Sequence, residues 1–312
     1  MVTLAQLNPN LTSLRLDFCG QMSDDVIQSW KTTLPNVTSL ELLGPFLVRA
    51  PAWISFFQTH KPLESFLITQ SPRFNLDCLK ALVESSAKSL ARLGLREVGL
   101  MCDEFLPSIG ECEKLTYLDI SEPSNSCTDS AVNQLLTKVG STLTHLNLSN
   151  HLLLTDIMLK EGIKENVKSL TELKLSLLPC LTDEGVSGFF ASWDNNPLSH
   201  IDISRNPELF SDTLRSLLKH SGSHLQSLNI NGLKDVGTDA LEEIAKCAHD
   251  LKLLDLGWCR AADDFVLKSI LEECRALKEV KMWGCNKVEG KWVFSGTRTA
   301  ARILGIEPRT GN

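Results

Sequence analysis

Apolar residues recur along the chain in one pattern, leucine-x-x-leucine-x-leucine, in which other large apolar residues sometimes replace leucine. The pattern occurs eleven times, at intervals of 25 to 28 residues. We number each repeat from its first apolar residue, which is position 1. The eleven first positions are Leu11, Val37, Leu63, Leu90, Leu115, Leu143, Leu170, Leu198, Leu225, Leu251 and Leu277.

Each repeat predicts one strand followed by one helix. Positions 4 and 6, such as Leu146 and Leu148, alternate with polar residues, which is typical of a strand with one buried face. Apolar residues at helical spacing follow, such as Leu214 with Leu217. Between them, seven repeats place aspartate after a hydroxyl residue or another aspartate. We expect the first of these side chains to cap the helix and the aspartate to favour its positive end. The pairs begin at Ser23, Thr128, Thr155, Thr182, Ser211, Thr238 and Asp263.

This period and motif indicate an α/β leucine-rich-repeat solenoid of about eleven repeats. Neither the strand nor the helix of one repeat can bury its apolar face alone, so neighbouring repeats must stack. Because helices are wider than the spacing of strands, we expect a horseshoe with a parallel sheet on the concave face and helices on the convex face. A solenoid has no single core to outgrow, so one repeat domain is predicted over residues 1–285.

The two ends depart from this pattern. Residues 2–9 resemble the end of a preceding helix, so we expect the domain to begin in the middle of a repeat, with sequence missing before it. After Cys285 the apolar pattern fades, and residues 286–312 are predicted to form a C-terminal cap and a loose, mildly basic tail.

Composition narrows the classes of function. The net charge of −7 argues against a dedicated nucleic-acid binder, and no apolar stretch approaches the length of a membrane span. The ten cysteines include no C-x-x-C pair, which argues against a zinc ribbon or a thioredoxin-like site. Cys19, Cys259 and Cys285 all stand at position 9, as small buried hydrophobic residues would. We therefore expect an intracellular protein with reduced thiols.

Motifs of catalysis are missing from the sequence. It contains neither a G-x-x-x-x-G-K-[ST] phosphate loop nor a G-x-S-x-G elbow, so we expect no enzymatic activity and no cofactor. His145 and His200 both stand at position 3, with Glu172 at position 3 of the repeat between them. The two histidines would lie two strand spacings apart, roughly 9–10 Å, which is too far for one zinc ion. We interpret them as ordinary groove residues.

The repeats also resemble known families. Cysteine-bearing repeats with a Thr-Asp helix start resemble the cysteine-containing leucine-rich repeats, best known as substrate-receptor domains of F-box ubiquitin ligases. Four segments are more specifically similar to the fungal Rad-seven-type nucleotide-excision-repair proteins. They include turns outside the repeat consensus, such as Gly44-Pro45-Phe46 and Ser71-Pro72-Arg73-Phe74. The segments are residues 34–48, 66–74, 254–260 and 280–286.

The second resemblance implies a non-catalytic interaction scaffold in the nucleus, with the cytoplasm as the alternative location. It implies the recognition subunit of a global-genome nucleotide-excision-repair and cullin-type ubiquitin-ligase complex. The implied partners are a helicase-like ATPase, an elongin-C-like adaptor, a cullin and a ubiquitylation substrate. The family's N-terminal adaptor-docking segment has no counterpart in this sequence, and the sequence diverges after Asn286. The alternative is an F-box-type substrate receptor acting in protein degradation. A GTPase-activating repeat protein is a third reading, which an acidic C-terminal tail would have favoured.

Candidate contact residues follow from the predicted strand geometry. Positions 3, 5 and 7 face the concave surface, where five cations meet seven acids, so we expect DNA contact to be weak or indirect. Arg92 and Arg96 form a candidate anion-facing patch. Trp258 and Trp283, at strand ends, are candidate anchors for a partner protein. Phe46 lies in an apolar turn that is either a docking ridge or the lead-in to a helix begun by Pro51.

Overall fold

The computed structural model describes residues 7–8, 10–99, 101–289 and 301–306. The single domain predicted over residues 1–285 is divided into two compact units. The first unit comprises residues 1–154 and 161–169, and the second comprises residues 155–160 and 170–312.

The first unit contains a parallel sheet whose strands follow one another in sequence order. Position 4 of each repeat is in register with position 4 of the next, as in Leu14 opposite Leu40 and Leu118 opposite Leu146. The strands are β1 (Ser13–Leu16), β2 (Ser39–Leu43), β3 (Ser65–Ser71), β4 (Arg92–Val98), β5 (Tyr117–Asp119) and β6 (His145–Asn147). The α-helices are α1 (Asp24–Thr33), α2 (Ala50–Thr59), α3 (Leu76–Ser86), α4 (Leu106–Ile109), α5 (Asp129–Val139) and α6 (Lys164–Asn166).

The second unit repeats this arrangement, and the same register holds from Leu173 opposite Ile201 to Val280 opposite Ile303. Its strands are β7 (Glu172–Lys174), β8 (His200–Asp202), β9 (Ser227–Asn229), β10 (Leu253–Asp255), β11 (Glu279–Lys281) and β12 (Arg302–Leu304). Its α-helices are α7 (Asp183–Ser192), α8 (Ser211–Ser221), α9 (Thr238–Cys247) and α10 (Asp264–Glu273).

Burial follows the predicted pattern in both units. From the second repeat onward, positions 4 and 6, such as Leu146 and Leu148, are buried, and so are the inward residues of the helices, such as Leu214 and Leu217. In the first repeat Leu14 and Leu16 are only partly buried. Positions 3 and 5 of the strands remain at least partly exposed except at Ser65 and Gly94, because successive strand residues point to opposite faces of the sheet. The predicted fold class, an α/β leucine-rich-repeat solenoid with parallel strands and outer helices, is confirmed.

Not every repeat has the expected helix. Repeat four forms a 3₁₀ turn, Asp103–Phe105, before the four-residue α4, and repeat six forms a π-helix, Met158–Ile163, before the three-residue α6. Residues 302–304, predicted to belong to the cap and tail, form β12 and pair with β11. The sheet therefore continues beyond the predicted end of the repeats at residue 285. Most of the predicted leading segment (1–6 and 9) and of the predicted tail (290–300 and 307–312) lies outside the described residues.

The predicted caps are confirmed at some helices and wrong at others. Thr128 and Thr182 each accept a hydrogen bond at Oγ1 from the backbone N–H three residues on, and Asp263 caps α10. Ser23 makes no cap bond to α1. Ser211 lies inside α8, where its Oγ accepts from the backbone N–H of Gly237 in the next repeat. Thr155 accepts from the N–H of Ile157, and Thr238 lies inside α9.

The sequence predicts that the aspartate after each cap stabilises its own helix. In the structure several of these aspartates also form hydrogen bonds to the next repeat. Asp183 Oδ1, in the first turn of α7, accepts from the backbone N–H of Phe210, 2.7 Å away, and of Thr213, 3.0 Å away, at the start of α8. Such repeat-linking aspartates accept from a backbone N–H of the next repeat. At four of five sites this N–H belongs to the residue directly before the next α-helix, and Asp103 acts in this way although it follows no predicted cap. These aspartates are Asp24, which bonds the N–H of Arg49, Asp103 with Thr128, Asp156 with Thr182, Asp183 with Phe210, and Asp264 with Glu289.

Candidate partner-binding surfaces

A left-handed residue lies near or just after the end of the strand, at the same place in each of the eleven repeats. This place is position 8, where φ lies between 49° for Glu97 and 80° for Gly232. The backbone N–H there commonly donates to position 7 of the next repeat, as from Leu177 to the carbonyl of Ser204 at 3.1 Å. The residues at position 8 are Phe18, Gly44, Gln70, Glu97, Glu122, Asn150, Leu177, Arg205, Gly232, Trp258 and Gly284.

A large apolar side chain at position 8 destabilises the fold, because its residue must adopt a left-handed backbone conformation. Its presence there therefore suggests a role other than stability. A left-handed conformation costs a residue with a Cβ roughly 1–2 kcal/mol, and glycine avoids this cost. Phe18 and Trp258 nevertheless occupy position 8, and they are 88% and 56% exposed. An exposed aromatic residue in a strained conformation gains nothing from the core, so these two side chains are candidates for contact with a partner.

Position 9 supplies the buried support beneath this edge. The Cys259 thiol lies 3.4 Å from the carbonyl oxygen of Ile230, and the Cys285 thiol lies 3.1 Å from that of Leu256. Each carbonyl belongs to position 6 of the preceding repeat. Asn206 makes the equivalent bond to Leu175 with its amide, at 2.8 Å. The expectation that position 9 is a small buried site is confirmed for the cysteines at this position.

The cations of the strand face have partners. Arg15 lies 3.1 Å from Glu41, Lys174 lies 2.7 Å from Glu172, and Lys281 lies 3.9 Å from both Asp255 and Glu279. These ion pairs neutralise much of the positive charge that a DNA phosphate would need. They support the expectation of weak or indirect DNA contact at these strands.

Several acids of the same face are held by amides. Asn147 donates from Nδ2 to Asp119 at 3.0 Å, and Asn229 donates to Asp202 at 2.9 Å. The other oxygen of Asp119 accepts from the backbone N–H of Ser121, two residues on. These position-5 side chains therefore form a polar ladder between repeats, and their first role is to hold the ends of the strands.

The proposed Arg92 and Arg96 patch is occupied by internal contacts. Arg92 lies over the ring of Tyr117, 4.2 Å from its centroid, and Arg96 forms an ion pair with Glu122. The guanidinium pKa of Arg96 is raised by this hydrogen bond and charge, although burial acts in the opposite direction. Glu97 stands beside Glu122, and burial together with this like charge raises its carboxyl pKa.

Trp258 and Trp283 lie together at the strand-end edge of the second unit. The backbone N–H of Trp258 donates to the carbonyl of Trp283 at 2.6 Å, and both side chains are more than half exposed. The indole of Trp258 lies over Gly284, where a Cβ atom would meet ring atoms at 2.6 Å. Glycine at this position 8 therefore makes room for the tryptophan.

Phe46 lies at the same edge of the first unit. It is 43% exposed, and its ring lies close to Gly44 and Gly20. Leu47 and the highly exposed Phe18 are further apolar residues of the turns after β1 and β2. Pro51 lies in the first turn of α2, so the segment both begins a helix and leaves apolar side chains exposed.

His145 and His200 lie on the strand faces of different units. The Nδ1 atom of each ring is hydrogen-bonded to the hydroxyl of the preceding residue, Thr144 for His145 and Ser199 for His200. Among the described residues, no three His, Cys, Asp or Glu side chains gather where they could hold a metal ion. No helix in the described part of the chain is long and apolar enough to cross a membrane.

The comparisons with known proteins agree with this geometry. No protein-family model matches the chain. The chain is 32% identical over 288 residues to the DNA repair protein rhp7 of Schizosaccharomyces pombe, and 31% identical over 297 residues to the DNA repair protein RAD7 of Saccharomyces cerevisiae. A chain in the crystal structure of the yeast Rad7–Elc1 complex is similar with a TM-score of 0.88 and 30% identity, over 97% of this chain and 76% of that one. This chain belongs to the Rad7 family of DNA repair proteins.

Membership in the Rad7 family confirms the resemblance found in the sequence. The alignments cover 91% and 93% of this chain but only 51% and 52% of rhp7 and RAD7, so the chain spans about half the length of these relatives.

Two features escaped the sequence interpretation. The repeat-linking aspartates act across about 25 residues, so no single repeat reveals them. Arg205 and Lys234 line an open cavity with Trp258, although neither lies at a strand-face position. Alignment of position 8 across the repeats would have placed Arg205 beside Trp258 at the same edge, separated by Gly232.

Proposed function

We propose that this chain is a non-catalytic scaffold, the recognition subunit of a nuclear complex that combines global-genome nucleotide-excision repair with a cullin-type ubiquitin ligase. The observation that carries the proposal is the similarity to Rad7 over 97% of the chain, in a crystal structure of a complex with Elc1. The partners are an elongin-C-like adaptor, a cullin, a helicase-like ATPase and a ubiquitylation substrate.

The surfaces of the two units support a role in protein contact. Exposed aromatic side chains lie at the strand-end edges, and such residues are typical anchors of protein interfaces. Most of the cations on the strand faces are already paired, which favours contact with damaged DNA through a partner.

The test uses the whole 312-residue chain, immobilised on beads. The beads are incubated at moderate salt with nuclear extract from a fungus that contains a Rad7-family protein. We expect mass spectrometry to identify a helicase-like ATPase, with or without the elongin-C-like adaptor and a cullin. Recovery of an F-box-type adaptor in their place would favour the alternative, a substrate receptor acting in protein degradation. Recovery of none of these proteins would contradict the proposal.

The same experiment is repeated with variants of the exposed aromatic residues at the strand-end edges. We expect Trp283→Ala and Phe46→Ala each to reduce retention of at least one partner about tenfold, because exposed anchors carry a large share of binding energy. Phe265→Ala is the control, since Phe265 is 63% exposed but lies in the first turn of α10. Equal losses for all three variants would show that the edge has no special role.

A further inference from the structure

An open cavity of about 450 Å³ lies at the strand-end edge of the second unit, in repeats eight to ten. Arg205 and Trp258 are its position-8 residues on either side of Gly232, and Lys234 lies in the turn after Gly232. Two strand spacings, roughly 9–10 Å, separate the backbones of Arg205 and Trp258. The absence of a side chain at residue 232 leaves space between them.

The backbone around this cavity is held by hydrogen bonds between repeats. The backbone N–H of Arg205 donates to the carbonyl of Asn231, and the backbone N–H of Gly232 donates to the carbonyl of Gly257, both at 2.7 Å. A Cβ atom on Gly232 would lie 3.4 Å from the Cα atom of Arg205, so the arginine side chain begins close to the glycine. A ligand would therefore meet a surface that is already ordered, which lowers the entropic cost of binding.

The charges of the cavity differ from those of the strand face. Neither Arg205 nor Lys234 forms an ion pair or a side-chain hydrogen bond within the described part of the chain. Asp235 also lines the cavity, and its carboxylate lies 3.5 Å from Arg260. Two uncompensated positive charges therefore lie beside an exposed indole ring. Carboxylates complement the cations, since an arginine can bind one with two parallel hydrogen bonds, and the indole favours a flat or apolar group.

We propose that this cavity binds a short acidic peptide segment of a partner protein. Its carboxylates contact Arg205 and Lys234, and an aromatic or apolar side chain lies against Trp258. A long nucleic acid fits less well, because Lys281 on the neighbouring strand is paired with Asp255 and Glu279, which leaves no continuous row of positive charge for its phosphates. The inference rests on the proposed function only in treating the chain as an interaction scaffold.

The test is a fluorescence-anisotropy titration of the purified 312-residue chain with the labelled peptide Gly-Asp-Asp-Trp-Asp-Asp-Gly. We expect saturable binding that weakens as salt is raised, since exposed charges are screened. Replacing every aspartate of the peptide by asparagine should abolish binding. This titration requires neither adaptor nor ATPase, so it gives an answer even if the proposed repair complex is wrong.

The variants identify the site. We expect Trp258→Gly, and the double variant Arg205→Gly with Lys234→Gln, each to weaken peptide binding at least about tenfold. Glycine is native at position 8 in three repeats, so Trp258→Gly and Arg205→Gly are compatible with the fold, and Lys234→Gln keeps a polar side chain in the turn. Thermal melting by circular dichroism checks that all three changes leave the chain folded. Phe18→Gly is the matched control, because it removes an exposed aromatic from position 8 of the first unit.

Three results would overturn the proposal. They are no binding of the acidic peptide to the unaltered chain, an equal loss in Phe18→Gly, and tighter binding of a labelled twelve-nucleotide oligothymidine than of the peptide. The last result, together with weaker oligothymidine binding by Trp258→Gly, would assign the cavity to single-stranded nucleic acid.

Discussion

His151 lies at position 9 of repeat six, where repeat eight has Asn206, and both side chains bond a carbonyl at position 6 of the preceding repeat. The Nδ1 atom of His151 accepts from the backbone N–H of Cys127 at 3.2 Å, and its Nε2 donates to the carbonyl of Ile120 at 2.8 Å. Asn206 bonds the corresponding carbonyl of Leu175. Because one ring nitrogen must accept, the neutral imidazole is the form that this site requires. Burial lowers the pKa of His151.

This arrangement predicts a dependence of stability on pH. The unfolded imidazole titrates near pH 6.5, and the folded pKa is lower, so below that pH the unfolded chain binds more protons. The contribution of His151 to stability is therefore present above about pH 6.5 and is lost as the pH falls below it. We expect His151→Asn to remove this part of the dependence, measured by urea unfolding at pH 7.5 and 5.5. His200→Asn, on the strand face, is the control. An unchanged dependence in His151→Asn would contradict the assignment.

Leu146 tests burial at a single position of the strand. It is fully buried at position 4 of β6, so Leu146→Ala should lower the free energy of unfolding by roughly 2–5 kcal/mol. The exposed Leu153 is the matched control, and Leu153→Ala should change the free energy of unfolding by less than about 0.5 kcal/mol. Denaturant unfolding measures both, and similar values for the two variants would argue against the burial of Leu146.

At the scale of the element, the aspartate in the first turn of a helix has two possible roles. Asp183 bonds the start of the next helix, α8, whereas Asp212, at the equivalent place in α8, pairs with Arg215 in its own helix at 3.0 Å. The sequence Ser/Thr-Asp is the same in both repeats. The difference depends on how far the next repeat lies from the carboxylate, which only the folded stack determines.

The two aspartates provide a matched pair of variants. We expect Asp183→Ala to lower the free energy of unfolding by about 1–2 kcal/mol, because two backbone N–H groups lose their acceptor. Asp212→Ala removes only an exposed ion pair, and its effect should stay below about 0.5 kcal/mol. Thermal or urea unfolding of both variants makes the comparison. A larger effect for Asp212→Ala would show that the link between repeats is unimportant.

At the scale of the whole molecule, the reactivity of the cysteine thiols measures how well the repeats are packed. None of the ten, all of which lie among the described residues, is in a disulfide, and Cys180 is exposed whereas seven others are buried. Burial raises the pKa of Cys78 to about 11 and those of Cys112 and Cys127 to about 12. Since the thiolate is the reactive form, these thiols should be inert while the protein is folded.

A thiol titration tests this expectation. At pH 8 we expect one cysteine, Cys180, to react quickly with a disulfide reagent, and all ten to react after denaturation. Cys180→Ser should remove the fast phase and leave the melting temperature unchanged. Fast reaction of several thiols in the folded Cys180→Ser variant would show that the repeats open readily.

The sequence predicted most of the fold because its main signal, period-two alternation within a 25–28-residue repeat, is repeated eleven times. It failed where a side chain acts across repeats, as with the repeat-linking aspartates and the ion pair between Arg96 and Glu122. It also failed at β12, because Arg302–Leu304 is too short to show a pattern by itself. Trp258 was found as a candidate contact from its residue type, but Arg205 required knowledge of the left-handed turn.

The left-handed residue at position 8 has a consequence for how this family can change its partners. Its side chain lies outside the core, while its backbone is held by the neighbouring repeat, and glycine is accepted there in three repeats. A mutation at this place can therefore alter what the edge recognises without disturbing the stack. Within each unit, neighbouring repeats offer such sites about 4.8 Å apart. Binding specificity can thus diverge one repeat at a time, independently of the leucines that keep the protein folded.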